Sequence, residues 1–263
     1  MSSDAFKRPD ATEGRFRMTL NHRITDLVQK LGTAFGVHVT RADNTLPFKR
    51  QSLMHQLGID VVLDVGANVG NYAAELRAHG FDGRIVSFEP ISEVYAELVR
   101  QWARDPRWSG MQMALGDVDG QTEINVSHNL VSSSLLKVTK TSVAAASSTA
   151  IRTVESIRVA RLDTVRQDLL KPGERVYMKI DVQGFERQVL SGAAASLEAV
   201  AALELELSLV ELYAGQALMP EMMNLAGSLG YRPAWLERGF KDPANGHLLQ
   251  MDGIFLRDPV LRG

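Results

Sequence analysis

Asp64, Gly66, Asn68 and Gly70 follow one another at the end of an apolar, β-branched run, Val61-Val62-Leu63-Asp64-Val65-Gly66-Ala67-Asn68-Val69-Gly70, which leads into a helical pattern through Tyr72, Ala73 and Leu76. Such a run reads as a buried parallel strand. Glycines placed after it let the turn bring backbone close to a ligand at the start of the next helix. Loops that hold a dinucleotide diphosphate are spaced Gly-x-Gly-x-x-Gly, with the anion at the helix N-terminus. Here the spacing is Gly66-x-x-x-Gly70 with a carboxylate just before it. A carboxylate there repels a diphosphate and suits a cation, so S-adenosylmethionine, with its ammonium and sulfonium, is a better electrostatic match than a nicotinamide dinucleotide. A tight turn with no ligand is the alternative.

Further carboxylates fall where a nucleotide crevice needs them. Glu89 ends a second short strand 25 residues after Asp64, near the place where an acid meets ribose hydroxyls in doubly wound sheets. The bland reading is a helix-start acid favoured by the macrodipole. Asp117, in Ala114-Leu115-Gly116-Asp117, stands where an adenine amino group would arrive, or else is a turn residue. Asp181 closes the strand Val176 to Asp181 and points to the same crevice as a general base or a metal ligand, with Glu206 on the next strand as its partner. Glu204 and Glu206 share one strand face, which is costly for two acids unless they are paired, metal-bound or near the end. Either could instead pair with Lys179 or Arg187. Oxygen-only ligands suit Mg²⁺ or Mn²⁺. His247, in the last hairpin with Asp252, is an alternative base because its ordinary pKa lies near neutrality. Trp235, Phe240 and Tyr213 could line a ligand mouth.

The elements that must position these residues alternate. Strands are expected at 61–65, 84–89, 109–115, 176–181 and 202–209, with helices between them and a last helix over 220–229. Short strands follow at 234–236 and 248–256, the final stretch returning antiparallel to the sheet edge. Strand-helix alternation implies parallel order, because parallel neighbours need crossover connections. Residues 1–19 read as a flexible tail, 20–58 as a helical accessory and 59–263 as the main domain. Within it the Ser/Thr/Ala-rich segment 127–153 is a lid or a surface linker. The 263 residues carry 29 Lys and Arg against 31 Asp and Glu and no Cys. That balance gives no bulk attraction to nucleic acid or anionic membrane and favours a small neutral substrate. Without Cys there is no disulfide, no thiolate nucleophile and no thiol-ligated zinc. No signal peptide or spanning segment is evident, so a cytoplasmic, soluble protein is expected. A homodimer formed through residues 20–58 is a further expectation.

As a set, these segments resemble the FkbM family of S-adenosylmethionine-dependent methyltransferases. The resemblance rests on Leu63 to Gly70, Ser87-Phe88-Glu89-Pro90, Ala114 to Asp117, Ser133-Ser134-Leu135, Arg161-Leu162-Asp163-Thr164, Lys179 to Glu186, Val189 to Ala193, Glu206-Leu207-Ser208 and Gln250 to Phe255, across about residues 50–257. It implies a class I methyltransferase (Rossmann-like) α/β fold, a seven-stranded, mainly parallel sheet with the last strand antiparallel. It also implies that Asp64, Gly66, Asn68 and Gly70 hold the methionine side of the donor, Glu89 its ribose and Asp117 its adenine region, with Ser133 among the cofactor-binding residues. Family members commonly methylate hydroxyls of sugars, polyketides and other natural products. One departure is Gln183, where the family usually carries Glu. The rival readings are a non-catalytic S-adenosylmethionine-binding module and a nicotinamide-dependent oxidoreductase.

Overall fold

The computed structural model of the protein describes residues 28, 30, 31, 33–36 and 45–257. The chain divides into two compact units, Met1–Thr45 and Leu46–Gly263. In the first, the described residues are helical from 28 to 34 and exposed. The expected tail 1–19 lies outside the described residues.

The second unit opens with α1 (Leu46–Leu57), then β1 (Val61–Val65), α2 (Asn71–Ala78), β2 (Arg84–Phe88), α3 (Ser92–Trp102), β3 (Trp108–Met111), β4 (Ala114–Leu115), β5 (Gly120–Ser127), α4 (Lys140–Ala145), β6 (Ile151–Ala160), α5 (Leu162–Leu169), β7 (Val176–Ile180), α6 (Glu186–Ser191), β8 (Val200–Ser208), α7 (Met219–Ser228), β9 (Tyr231–Arg238) and β10 (Gln250–Arg257). Among the described residues, seven strands form one sheet in the order β3-β2-β1-β7-β8-β10-β9. The pairs from β3 through β8 are parallel, and β10 runs antiparallel to both neighbours. This is the sheet that the resemblance implies. β1 and β7 are buried at every position, as expected of strands covered on both faces.

Three differences from the sequence reading have physical causes. The stretch 109–115 is two strands, because the chain leaves the main sheet at Gln112 and Ala114–Leu115 pairs instead with β6. The last strand inserts between β8 and β9 instead of lining the edge, which leaves β9, with Arg232, Pro233 and Arg238 exposed, as the edge strand. Around 127–153, β5 and β6 form an antiparallel pair that joins β4 in a separate three-stranded sheet. The loop between β5 and α4 turns back over the main sheet, held by paired Asn125 and Ser134 and by a bridge from Val138 to Tyr213.

Helix α1, expected within the 20–58 accessory, falls in the same unit as the sheet. Met54 and Leu57 join Val62, Ala73, Leu76 and Tyr177 in one apolar cluster. From the same helix, Arg50 reaches the buried Glu204 on β8 through Nε to Oε2 (2.7 Å) and Nη2 to Oε1 (2.5 Å), and also pairs with Glu75. Tyr72 and Tyr177 donate to Glu204 Oε2 at 2.9 and 2.7 Å. Burial pushes the Glu204 carboxyl up, but Arg50 and the two hydroxyls outweigh it and hold Glu204 below its ordinary value. Arg50 is thus the partner of Glu204, while Arg187 pairs with Glu221. Removing one member of a buried pair leaves an uncompensated charge worth ~3–5 kcal/mol. Arg50→Met is therefore expected to lower unfolding stability in urea by about that amount, and Arg50→Met combined with Glu204→Met to recover most of the loss.

Candidate active site

The carboxyl ends of β1, β2 and β7 meet above the sheet. Their loops are shaped by backbone that only certain residues adopt. Gly66 sits at φ 81°, and a Cβ there would collide with the Asp181 carbonyl. Any side chain would push the β1 and β7 loops apart, so the glycine is needed for close approach. Asn68 (φ 50°) and Gln183 (φ 57°) are non-glycine residues in the left-handed region.

A cavity opens there. Its polar side is Gly66, Asn68, Glu89, Ser133, Asp181 and Gln183, and its apolar side includes Ile91, Leu115 and Phe185. Glu89, at the end of β2, is 5% exposed. Its Oε2 accepts from the Asn68 amide at 3.0 Å and its Oε1 from the Ile91 amide at 2.9 Å. Each oxygen keeps a free lone pair for a hydroxyl. Burial drives the Glu89 carboxyl up to about 7, against those two amide bonds. Ser133 lines the cavity but spends its hydroxyl on the Leu130 carbonyl and the Ser127 amide, tying down the loop after β5.

Asp181 stands where this cavity meets a second one of about 390 Å³, lined also by Arg50, Tyr72, Lys179 and Asp252. Lys179 Nζ lies 3.3 Å from Asp181 Oδ2, 3.5 Å from Asp64 Oδ1 and 3.2 Å from the Gly66 carbonyl. Burial pulls the lysine down, but Asp181 and Asp64 more than offset it, so Lys179 stays a cation. Gln183 Nε2 donates to Asp181 Oδ1 at 2.7 Å and to Glu206 Oε2 at 3.0 Å. Glu206 is pushed well above its ordinary value by burial and then by Asp181, Glu186 and Asp252. Asp252, which faces Glu206 across the β8/β10 pair, rises to about 6 through burial and the nearby Asp181 and Glu204. A third cavity of about 260 Å³ lies beside Gln183 and Glu206, with Tyr213, Phe240, Gln250 and Val131 in its walls. Val131 lines all three cavities.

Gly66, Asn68, Glu89, Ser133 and Asp181 are thus brought together, with Glu206 joined to Asp181 through Gln183. Four other expected residues stand elsewhere. Asp64 is fully buried and lines none of these cavities. Strand register sets it between Ser87 and Lys179, so its charge meets the lysine and not a ligand. Gly70 (φ 90°) starts α2, and a Cβ there would strike the Trp102 indole, which makes it a packing glycine. Asp117 is exposed beyond β4, because Ala114 and Leu115 are the residues of that segment that reach the cavity. His247 is exposed in the turn between β9 and β10. Its carbonyl accepts from the Asp242 amide, and its own amide donates to Asn245 Oδ1.

The Mg²⁺ or Mn²⁺ site expected at Asp181 and Glu206 does not fit. The amide of Gln183 fills the position between the two carboxylates, and among the described residues no group of three or more His, Cys, Asp or Glu could hold a metal. Sequence reasoning missed Val131, which has no chemical signature, and Arg50, which is separated from its partner by 154 positions. Of the aromatic residues expected at a ligand mouth, Tyr213 and Phe240 line the third cavity, whereas Trp235 lies under the Lys49 ammonium, 5.1 Å from its ring centroid.

The sequence of residues 64–233 matches the model of the methyltransferase FkbM domain, well over half of the chain. The chain belongs to the FkbM methyltransferase family. It is thereby a methyltransferase of the S-adenosylmethionine-dependent kind. No curated protein matches the sequence. Among solved structures the chain is similar to fibrillarin from Aeropyrum pernix with natively bound S-adenosyl-L-methionine (12% identity, TM-score 0.43, covering 75% of this chain and 66% of that one). It is also similar to magnesium protoporphyrin IX methyltransferase from Synechocystis PCC 6803 with bound SAM (11%, 0.41, 83% and 86%). A third is the Methanococcus jannaschii fibrillarin pre-rRNA processing protein (8%, 0.45, 76% and 67%).

The first cavity, about 90 Å³ as it stands, has a lining whose chemistry suits the nucleoside end of S-adenosylmethionine. The slot between Ile91, Leu115 and Phe185 is apolar enough for an adenine, and the half-satisfied Glu89 at its floor suits a ribose diol. Hydroxyl donors favour the ionised carboxylate, so binding releases a proton while Glu89, held near 7, is protonated. Donor affinity is expected to rise with pH up to about 7, by at most ~1.4 kcal/mol per pH unit, and to level off above. Calorimetry between pH 5.5 and 8.5 measures it, and Glu89→Gln should flatten the profile.

Proposed function

We propose that the protein is an O-methyltransferase that places a methyl group on a hydroxyl of a sugar, glycan or other small natural product. The observation that carries this reading is Asp181, which is held by a donor on each oxygen and set where the donor cavity meets the second one. An alcohol is a poor nucleophile while protonated, so a fixed carboxylate beside it is the chemistry the reaction needs. The third cavity supports a polyhydroxylated acceptor. Its walls offer neutral hydroxyls and amides from Asn129, Ser132, Thr149 and Gln250, with Phe240 as an apolar face and no basic side chain to draw a phosphate.

The bound donor supplies a methyl group on a positively charged sulfur. Asp181 takes the proton that the acceptor hydroxyl loses as its oxygen attacks. Lys179 and Gln183 keep that carboxylate in one orientation, since each oxygen spends one lone pair on them and retains another for the hydroxyl. Val131, on the loop after β5, lines all three cavities, and Leu130 and Leu135 give the donor cavity part of its apolar wall. Much of the rate then comes from alignment.

Asp181→Asn keeps the shape and removes the base. Turnover in a mass-spectrometric methyl-transfer assay over sugars and small natural-product alcohols is expected to fall by ~100-fold or more, with donor affinity by calorimetry nearly unchanged. Wild-type turnover in Asp181→Asn would remove the residue from the mechanism.

A further inference from the structure

Gln183 occupies an improbable backbone position for its type. At φ 57° a β-carbon is crowded, and such conformations persist where the surroundings over-determine them, often at working sites. The surroundings here are explicit. Ser134 donates to the Gln183 carbonyl at 2.6 Å, and the buried Glu186 accepts from the Val182 and Gly184 amides on either side at 3.1 Å. The side chain is fixed as firmly. Tyr213 donates its hydroxyl to Oε1 at 2.6 Å, closer than its other acceptor, the Ser132 carbonyl at 3.2 Å, and the two carboxylates opposite call for the NH₂, so the amide has one sensible orientation, between Asp181 and Glu206. Two carboxylates bridged by one central group are the arrangement a divalent cation makes from oxygen ligands.

We propose that Gln183 is the positioning residue of the transfer, its amide joining Asp181 to Glu206 in the place a divalent cation would otherwise take. This rests on the O-methyltransferase reading for its rate consequence but not for its binding consequence. A neutral amide holds Asp181 at the cavity junction through one hydrogen bond and anchors itself to Glu206 through the other. Tyr213 prevents the amide from flipping its carbonyl toward the acids.

The test uses the full chain in three forms and Mn²⁺ alone as probe. Electron paramagnetic resonance titration is expected to show no stoichiometric Mn²⁺ binding to wild type. Gln183→Glu, which sets a third carboxylate between the first two, is expected to bind Mn²⁺ at least about tenfold more tightly. This readout needs neither donor nor acceptor, so it stands even if no methyl transfer is found. Gln183→Met, similar in size and unable to bridge, is expected to lose kcat by about 10- to 100-fold with donor affinity unchanged and the pH profile of turnover displaced. Tyr213→Phe is expected to give a smaller loss in the same direction. The proposal is overturned if wild type binds Mn²⁺ as tightly as Gln183→Glu and Asp181→Asn abolishes that binding, if Gln183→Glu gains no affinity while remaining folded by circular dichroism, or if Gln183→Met keeps wild-type kcat and pH profile.

Discussion

A single buried cation organises the working end of the sheet. Lys179 lies in the middle of the protein with Asp64 on one side, Asp181 on the other and the Gly66 carbonyl above it. An ammonium stripped of water is tolerated only with such partners, and the partners come from β1, from the loop after β1 and from the residue that ends β7. The pairing therefore fixes the separation of the two loops that form the floor of the donor cavity. It also explains why the glycine after β1 is indispensable: the lysine draws the β1 and β7 ends so close that the Asp181 carbonyl fills the space a side chain would need. Tyr72 covers the ammonium with its ring, 5.4 Å from the centroid, and the same tyrosine donates to Glu204. The lysine and the Arg50–Glu204 pair are thus one continuous polar seam under an otherwise apolar sheet.

That seam shows what a sequence can and cannot reveal. The strands β1, β2 and β7 were legible because a strand buried on both faces has no polar alternation to confuse it, and their parallel direction because helices separate them. Glu89 and Asp181 were legible for the same reason, since the last residue of a parallel strand points into the crevice whatever surrounds it. Asp64 misled because its position in the chain, just before the glycine loop, says nothing about which face of the strand it occupies. Period-two alternation puts it on the side of Val62 and not above the sheet, and register then supplies Lys179. His247 and Asp117 misled differently: both lie in turns, where neighbouring residues satisfy the backbone and the side chains face water. Arg50 lay beyond reach because a helix with little amphipathic pattern carries no sign that one of its charges is buried.

The segment after β5 illustrates a second limit. The Ser/Thr/Ala-rich composition of 127–153 reads as a lid or a surface linker, and residues 130, 131 and 133–135 of it line the first cavity. Its flanks, however, are the longest paired strands outside the main sheet, and their alternation of exposed and buried residues is too irregular to stand out. What determines the path of the loop is a set of specific hydrogen bonds: at large separation Ser134 to the Gln183 carbonyl and Thr139 to the Glu211 carbonyl, and more locally Asn125 to the Ser134 and Leu136 carbonyls. None leaves a periodic trace. Together they bring Val131, an exposed apolar residue, to the meeting point of three cavities.

Electrostatics also argue for an amide in preference to a metal between Asp181 and Glu206. The donor that the family uses carries a positive sulfur, and Gln183 and Asp181 line the cavity that suits it. A doubly charged cation in that wall would oppose the donor's charge at short range, in a setting where the effective dielectric is well below that of water. Lys179 already neutralises part of the local negative charge, and a further two positive charges would cancel most of what remains. Two hydrogen bonds from a neutral amide hold the same carboxylates together and leave the wall negative. Glu206, pushed toward its protonated form by burial and its acidic neighbours, can accept from the amide in either state, so the bridge survives changes of pH that would release a metal ion. The arrangement therefore keeps Asp181 oriented and the cavity attractive to a cation at the same time, which a metal in the same position would not do.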